Sequence, residues 1–299
     1  MGDMMKAVFD KLDELAEVNP DTLIALRRAM YEDGRIDANE ARKLLIMHRE
    51  GRGKGAGEGW ADFLVEALAD HFALQREAPS FDTTFKADYV QSLKNVARAA
   101  SPFSWCKTVE RDETWAAGEM RAVGSAEVAA LIEAFEQEGG LVLDPVERRV
   151  LMRLFDRAVS YPKALTRFAL EAVYETVRAD GLVDGDEVEL LRRVLYGPAG
   201  DEGIVISRDE AELLLAMRTI TCDADNAETW PELFAKAVGC HVLMGGAAID
   251  EVDQGESQWL IERLGDPKTL DVAGRRLLSH LAREARQVAP EFENYAFAA

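Results

Sequence analysis

Apolar residues recur with the period of an α-helix along most of the chain. Two segments show this most clearly, each beginning at a tryptophan, and their apolar positions are Phe63, Leu64, Ala67, Leu68, Phe72 and Leu233, Phe234, Ala237, Val238, Val242. Residues at this spacing form one stripe along a helix, and that stripe is buried when helices pack together. No segment shows sustained strand-type alternation between hairpin signals. The pattern therefore predicts an all-α fold without a β-sheet.

A short polar pattern marks where the predicted helices end and begin. Asp-Gly-x-(Ile/Val)-Asp-x-x-Glu-x-x-x-Leu runs from Asp33 to Leu44 and again, 147 residues later, from Asp180 to Leu191. Glycine closes a helix in the left-handed conformation, and Asp or Ser three residues before Glu opens the next helix as a capping box. Weaker copies begin at Gly140, Gly203 and Gly246, and the predicted caps are Asp37, Asp144, Asp184 and Ser207. The chain is thus predicted to consist of repeated helix-turn-helix units, packed as a helical bundle or a short array.

A longer correspondence extends this unit. Trp60 follows Glu40 by 20 residues, as Trp230 follows Glu210, and the alignment then places His71 on His241. Equal spacings of this kind indicate duplication. We therefore predict that the helices of residues 37–72 superpose on those of residues 207–242.

The pattern also predicts how the chain is divided. Residues 99–124 lack helical periodicity and carry Pro102 and several aromatic residues, so they are predicted to connect an N-terminal helical repeat (1–98) to C-terminal repeats (125–289). Residues 290–299 are predicted to form a frayed tail. The glycine-rich stretch 51–59 is predicted to be a mobile loop.

The net charge and the cysteine content exclude several classes of function. With 35 Lys and Arg against 55 Asp and Glu the formal net charge is −20, which repels nucleic-acid backbones and anionic lipid. The three cysteines have no CxxC spacing, which argues against a disulfide framework and a cysteine-rich zinc site. Neither a signal peptide nor an apolar stretch of spanning length is recognisable. We expect a cytoplasmic protein that neither binds nucleic acid nor inserts directly into a membrane.

The repeated Asp-Gly turns allow two interpretations. They resemble the second half of an EF-hand loop, but the carboxylates of the first half are missing, so a full EF-hand is excluded. A looser oxygen site for Ca²⁺ or Mg²⁺ would use Asp33, Asp37 and Glu40 at the first turn, or Asp180, Asp184, Asp186 and Glu187 at the second. Helix capping explains several of these residues without any metal or other cofactor, and it is the interpretation that we favour.

Catalytic motifs are not recognisable in the chain. HExxH, GxSxG, a P-loop and the Rossmann fingerprint are absent, and adjacent Cys240 and His241 point about 100° apart on a helix. An enzyme of unrecognised type would use Glu66, Asp70 and His71, which lie on one predicted helix.

The segment AVYETVRADGLVDGDEVELLRRVL, from Ala172 to Leu195, resembles the TerB-like helical family, which is named for tellurite resistance. The resemblance is carried by Ala179, Asp180, Gly181, Val183, Glu187 and Leu191, and in the earlier copy by Asp33, Gly34, Ile36 and Glu40. It implies an all-helical, acidic, cytoplasmic and usually non-enzymatic protein. It also implies a link to divalent metals and to stress-response complexes at the membrane.

Three hypotheses about function follow. The first is an acidic cytoplasmic binding or adaptor protein, stress-related through the resemblance, which has no catalytic activity and binds a protein partner of unknown identity. The second is a divalent-metal-binding TerB-like stress protein, and the third is the enzyme of unrecognised type.

Overall fold

The computed structural model describes residues 17–30, 36, 38–74, 121–123, 125–137, 141–197, 206–245 and 249–299. These residues confirm the all-α prediction. The helices are α1 (Pro20–Met30), α2 (Ala38–Arg49), α3 (Glu58–Leu74), α4 (Ser125–Gln137), α5 (Pro145–Arg157), α6 (Lys163–Asp180), α7 (Gly185–Tyr196), α8 (Arg208–Ile220), α9 (Trp230–Gly245), α10 (Gln254–Leu264), α11 (Val272–Glu284) and α12 (Pro290–Ala298).

The described residues divide into two compact units, one ending at Phe168 and one beginning at Ala169, so that the division falls within α6. The predicted connecting segment, residues 99–124, lies outside the described residues except for 121–123. The predicted domain boundaries therefore stay a prediction.

In the first unit, α3 packs extensively against α5, and its core includes Trp60, Phe63 and Leu64. The glycine-rich stretch between α2 and α3 forms a 3-10 helix, Arg52–Ala56, instead of the predicted mobile loop. The reason is packing, because Gly53 lies so close to the indole of Trp60 that a Cβ atom would overlap the ring.

In the second unit, α9 packs extensively against α11. The predicted frayed tail is instead helix α12, in which Phe292 and Tyr295 are buried. The hydroxyl of Tyr295 donates a hydrogen bond to the carbonyl of Gly265 at 2.9 Å. Two aromatic anchors therefore hold a segment whose terminal position suggested fraying.

Among the described residues each unit also contains one pair of short parallel strands, which corrects the prediction of no sheet. β1 (Arg121–Ala122) pairs with β2 (Ala158–Ser160), and β3 (Glu251–Val252) pairs with β4 (Gln287–Val288). Strands of two or three residues are too short to show alternation, so the sequence pattern could not reveal them. Each pair joins the chain before one helix to the chain after the next helix.

Capping explains where many helices begin. Asp144, Asp184 and Ser207 form the predicted capping boxes, and Asp253 forms another with Glu256, three residues beyond the degraded copy that ends at Asp250. The predicted stop at Gly181 is also confirmed, because this residue has φ +79°. Asp37 and the turn glycines Gly34, Gly140, Gly203 and Gly246 lie outside the described residues.

Replacing Asp184 by alanine is expected to lower the free energy of unfolding by about 0.5–2 kcal/mol, because the helix loses its N-cap. Asp184 accepts a bond from the Glu187 amide at 2.8 Å, and the buried Glu187 carboxylate accepts one from the Asp184 amide at 2.8 Å. Urea unfolding measures the loss. Asp186→Ala, at an exposed position of the same turn, is the control and should change the midpoint less. Equal midpoints for Asp184→Ala and the unmodified protein would contradict the capping role.

Matched contacts support the predicted duplication. His71 Nδ1 donates to the carbonyl of Ile36 at 2.6 Å, and His241 Nδ1 donates to that of Ile206 at 2.8 Å, with a shift of 170 residues at both ends. Trp60 and Trp230, related by the same shift, are both buried.

The later helices correspond with a different shift. Asp144 caps α5 and Asp271 caps α11, which is a shift of 127 residues. Between these helices and their packing partners, Arg149 pairs with Asp62 at 2.6 Å and Arg276 pairs with Glu232 at 2.5 Å. The repeated unit therefore extends beyond residues 37–72 and 207–242 to include the two helices that follow.

Candidate functional site

At the second Asp-Gly turn, most of the carboxylates predicted to bind a metal accept hydrogen bonds from backbone amides of the turn. Asp180 Oδ1 accepts from the Leu182 amide at 3.2 Å, and Asp184 and Glu187 complete their capping box. Asp186 is exposed in the first turn of α7.

The same turn is also a contact point for another loop. The amide of Val183 donates to Asn226 Oδ1 at 2.8 Å, and its carbonyl accepts from the Ala227 amide at 2.8 Å. These two bonds hold the loop before α9 against the turn. The turn therefore has a structural role that the sequence did not suggest.

The first Asp-Gly turn is described only in part. Asp33 and Asp37 lie outside the described residues, and Glu40 is buried in the first turn of α2. Within the described ranges no three His, Cys, Asp or Glu side chains form a group that could hold a metal ion. The metal site stays a prediction.

Calorimetry can test that prediction. With Ca²⁺ or Mg²⁺ in about 150 mM salt, which screens exposed charges beyond about 8 Å, we expect no saturable site tighter than about 10⁻⁵ M. The expectation rests on the capping and turn bonds that already engage Asp180, Asp184 and Glu187. A stoichiometric heat that Asp180→Asn abolishes would contradict it.

The three residues of the enzyme hypothesis do not converge. Glu66 and Asp70 lie on the face of α3 that meets α5, where both pair with Arg157 and Glu66 also pairs with Arg153 at 3.0 Å. His71 points elsewhere, because its Nδ1 donates to the carbonyl of Ile36. The acidic residues thus belong to an ion-pair ladder between two helices, and the histidine joins α3 to the chain before α2.

A polar cluster that sequence analysis missed lies at the end of α2. Trp60 Nε1 donates to His48 Nδ1 at 3.2 Å, and His48 Nε2 lies 2.6 Å from Asp144 Oδ2. Since an indole only donates, His48 Nδ1 is the acceptor and Nε2–H is the donor to Asp144. Both ring nitrogens are engaged, so the imidazole is held in one tautomer between two partners.

The charge of Asp144 is stabilised in this cluster. Burial would raise the pKa of its carboxyl, but hydrogen bonds from His48 and from the amides of Glu147 and Val146 outweigh burial and lower the pKa below its ordinary value. Asp144 therefore acts both as a helix cap and as the partner of His48.

The second unit contains the same cluster with different chemistry. Arg218, which corresponds to His48 with the shift of 170, pairs with Asp271 at 2.6 Å. Arginine has no acceptor, and Trp230 Nε1 is buried without a hydrogen-bond partner among the described residues. Both units thus have a basic residue near the end of one helix that contacts an acidic residue at the start of another helix.

Another buried polar group is His280 on α11. Burial lowers its pKa below the ordinary 6.5. Glu284 and Glu232 oppose this by raising the pKa, and Arg283 and Lys236 lower it further, each with a smaller effect than burial. The folded protein therefore favours the neutral ring, whereas the unfolded chain protonates near pH 6.5. We expect the free energy of unfolding to fall as the pH decreases below about 6.5, until the folded ring also protonates.

Urea unfolding at pH 7, 6 and 5 measures this dependence. His280→Gln removes the titrating group and should show a shallower loss over this range. Parallel pH profiles for the two proteins would contradict the assignment to His280.

An open cleft lies in the first unit among α2, α3 and α4. Its volume is about 180 Å³, and it is lined by Asn39, Ala41, Arg42, Leu45, Leu68, His71, Phe72, Ala130, Leu131, Glu133, Ala134 and Phe135. The lining combines buried Leu45, Leu68 and Leu131 with polar side chains that include Arg42 and Glu133. A concave apolar surface with a few polar groups is the usual form of a binding site.

The corresponding position in the second unit is filled by a tryptophan. The buried positions Val123, Val128, Leu131 and Phe135 match the buried positions Val252, Ser257, Leu260 and Leu264 with a shift of 129 residues. The same shift places exposed Ala130 on Trp259, whose side chain is buried beside His241, the counterpart of His71. The cleft was not predicted from the sequence, although the alignment of α4 with α10 indicates it by placing alanine opposite tryptophan.

Comparisons with protein-family models, curated proteins and solved structures found no match to this chain. The resemblance to the TerB-like family therefore stays a prediction. None of the described helices combines the length and apolarity that spanning a membrane requires.

Proposed function

We propose that this protein is a non-catalytic helical adaptor that binds a protein partner at the cleft among α2, α3 and α4. One observation carries the proposal: the cleft is open at Ala130, whereas the second unit fills the corresponding position with its own Trp259. The two units share one architecture but differ at this surface position, where a large side chain can insert between the helices. A large side chain completes the packing in one copy, and a binding partner would complete it in the other.

The positions of the polar side chains support a binding role over catalysis. Glu66 and Asp70 pair with arginines of α5, and both ring nitrogens of His48 have partners. A general base needs an atom that reaches a substrate proton. The functional groups of these side chains are instead engaged with neighbouring helices, which supports a scaffold for binding.

The net charge of −20 supports a protein as the partner. Its field disfavours nucleic acid and anionic lipid surfaces, and it favours partners with a basic or neutral contact surface. The stress-related role and the cytoplasmic location belong to this proposal as expectations from the family resemblance.

Blocking the cleft tests the function. Ala130→Trp places in the first unit the side chain that the second unit already contains, and Ala129→Trp adds the same side chain at the neighbouring exposed position. In affinity capture from the native host, we expect a partner that the unmodified protein and Ala129→Trp retain and that Ala130→Trp loses. Identical sets of retained proteins for all three would overturn the proposal.

A further inference from the structure

The second unit shows how this architecture holds an aromatic ring. The ring of Trp259 lies edge-on to His241, with 5.4 Å between ring centroids and 81° between the planes. The guanidinium carbon of Arg208 lies 3.8 Å from the centroid of the indole, in cation–π contact. Trp259 Nε1 donates to Glu212 Oε1 at 2.8 Å. The ring thus has a histidine against it, a cation over it and a hydrogen-bond partner at its polar edge.

The Glu212 carboxylate is a suitable acceptor for this bond. Burial would raise its pKa, but hydrogen bonds from Trp259, Arg263 and Arg208 outweigh burial and lower the pKa below its ordinary value. The carboxylate is therefore ionised near neutral pH and accepts the indole N–H. In this unit the polar edge of the bound ring is a donor, and the protein supplies the acceptor.

The first unit retains part of this arrangement. His71 corresponds to His241, and both donate to the carbonyl of the residue 35 positions earlier. Ala130 replaces Trp259, which leaves a cleft of about 180 Å³. An apolar cavity of about 150 Å³ is enough to bind benzene, so the cleft has room for one aromatic ring.

The polar group that faces the edge of the ring differs between the units: the second unit has a hydrogen-bond acceptor there, and the first unit has a donor. Arg42 lines the cleft at the position that corresponds to Glu212 with the shift of 170 residues. Arginine donates hydrogen bonds and accepts none. At this position an indole N–H would therefore face a donor, whereas a phenolic oxygen can accept from Arg42.

We infer that the cleft binds a tyrosine side chain of the partner protein, with its ring against His71 and its phenolic oxygen accepting a hydrogen bond from Arg42. This inference rests on the proposed function and adds the chemistry by which the partner is recognised. The tyrosine takes the place in the first unit that Trp259 takes in the second. Arg42 supplies a charged donor that suits a phenolic oxygen, and an aromatic ring fills the volume left by Ala130.

Side-chain analogues test this chemistry without the partner. The full chain, labelled at its alanine and leucine methyl groups, is titrated with p-cresol, 3-methylindole and toluene and followed by NMR. We expect saturable shifts at Leu45, Leu68 and Ala130, with p-cresol bound about tenfold more tightly than the other two because of its bond to a charged donor. A preference for 3-methylindole or toluene would overturn the assignment of tyrosine.

Four variants sharpen the test. Ala130→Trp should abolish the shifts while Ala129→Trp preserves them, and Arg42→Glu, which introduces the polarity of the second unit, should reverse the preference toward 3-methylindole. Trp259→Ala opens the matched site beside Glu212, and it should gain a second site that prefers 3-methylindole. The methyl spectra of the free variants report whether each remains folded.

The outcomes separate the inference from the proposed function. Equal p-cresol binding by the unmodified protein and a folded Ala130→Trp variant overturns the inference, while a partner that this variant loses still supports the adaptor function. Retention of every partner by Ala130→Trp, with p-cresol binding abolished as expected, overturns the adaptor function and leaves the recognition of a phenol intact.

Discussion

Asp271→Ala is expected to lower the free energy of unfolding by about 3–5 kcal/mol, because it leaves the buried guanidinium of Arg218 without its carboxylate. The side chains of Arg218 and Asp271 are only 7% and 12% exposed, and their 2.6 Å contact joins the end of α8 to the start of α11. The same substitution removes the hydrogen bond that Asp271 accepts from the Gly274 amide. Urea unfolding of the full chain, from which the free energy of unfolding of the second unit is obtained, measures the loss.

Two controls isolate the buried charge. Asp144→Ala removes the corresponding cap in the first unit, but the Asp144 side chain is 44% exposed, so the expected loss is about 0.5–2 kcal/mol. Arg218→Met combined with Asp271→Asn removes both charges and should recover part of the loss of Asp271→Ala. Equal losses for Asp144→Ala and Asp271→Ala would contradict the buried-charge argument.

The starts and stops of helices were predictable because they depend on residues three or four positions apart. Asp184 and Glu187 form their capping box through neighbouring backbone amides, and the left-handed Gly181 closes the preceding helix. The helical period likewise fixed the buried faces of α3 and α9, because a face is a property of one helix. These features need no knowledge of which helices meet.

The cleft was not predictable in the same way because it depends on three helices and on a comparison between the units. The correspondence shifts by 170 residues at His71, by 129 at Ala130 and by 127 at Asp144, so no single ungapped alignment shows it. The Asp-Gly pattern, with its shift of 147, matches turns that share local chemistry. Contacts between distant residues instead follow the other three shifts, as the two histidine–carbonyl bonds show.

The comparison of the units also shows what kind of role His48 has. His48 could be taken for a catalytic base, yet Arg218 occupies its place in the second unit and makes the same link to a capping aspartate. A role that arginine and histidine fill equally is positive charge or hydrogen-bond donation, because arginine does not lose its proton. The position therefore joins helices in both units.

Gly239→Val is expected to lower the free energy of unfolding by about 1–3 kcal/mol, because α9 and α11 pack closely at this residue. A Cβ atom at Gly239 would overlap the ring of buried His280 and lie 2.9 Å from its Nε2. In the first unit the corresponding positions are Ala69, which is also small and buried, and Arg153. Since the overlap involves one ring, His280→Ala should make room for the valine, and the double variant should lose less than the sum of the single variants. Urea unfolding of the four proteins gives this coupling energy, and additive losses would show that the valine is opposed by something other than His280.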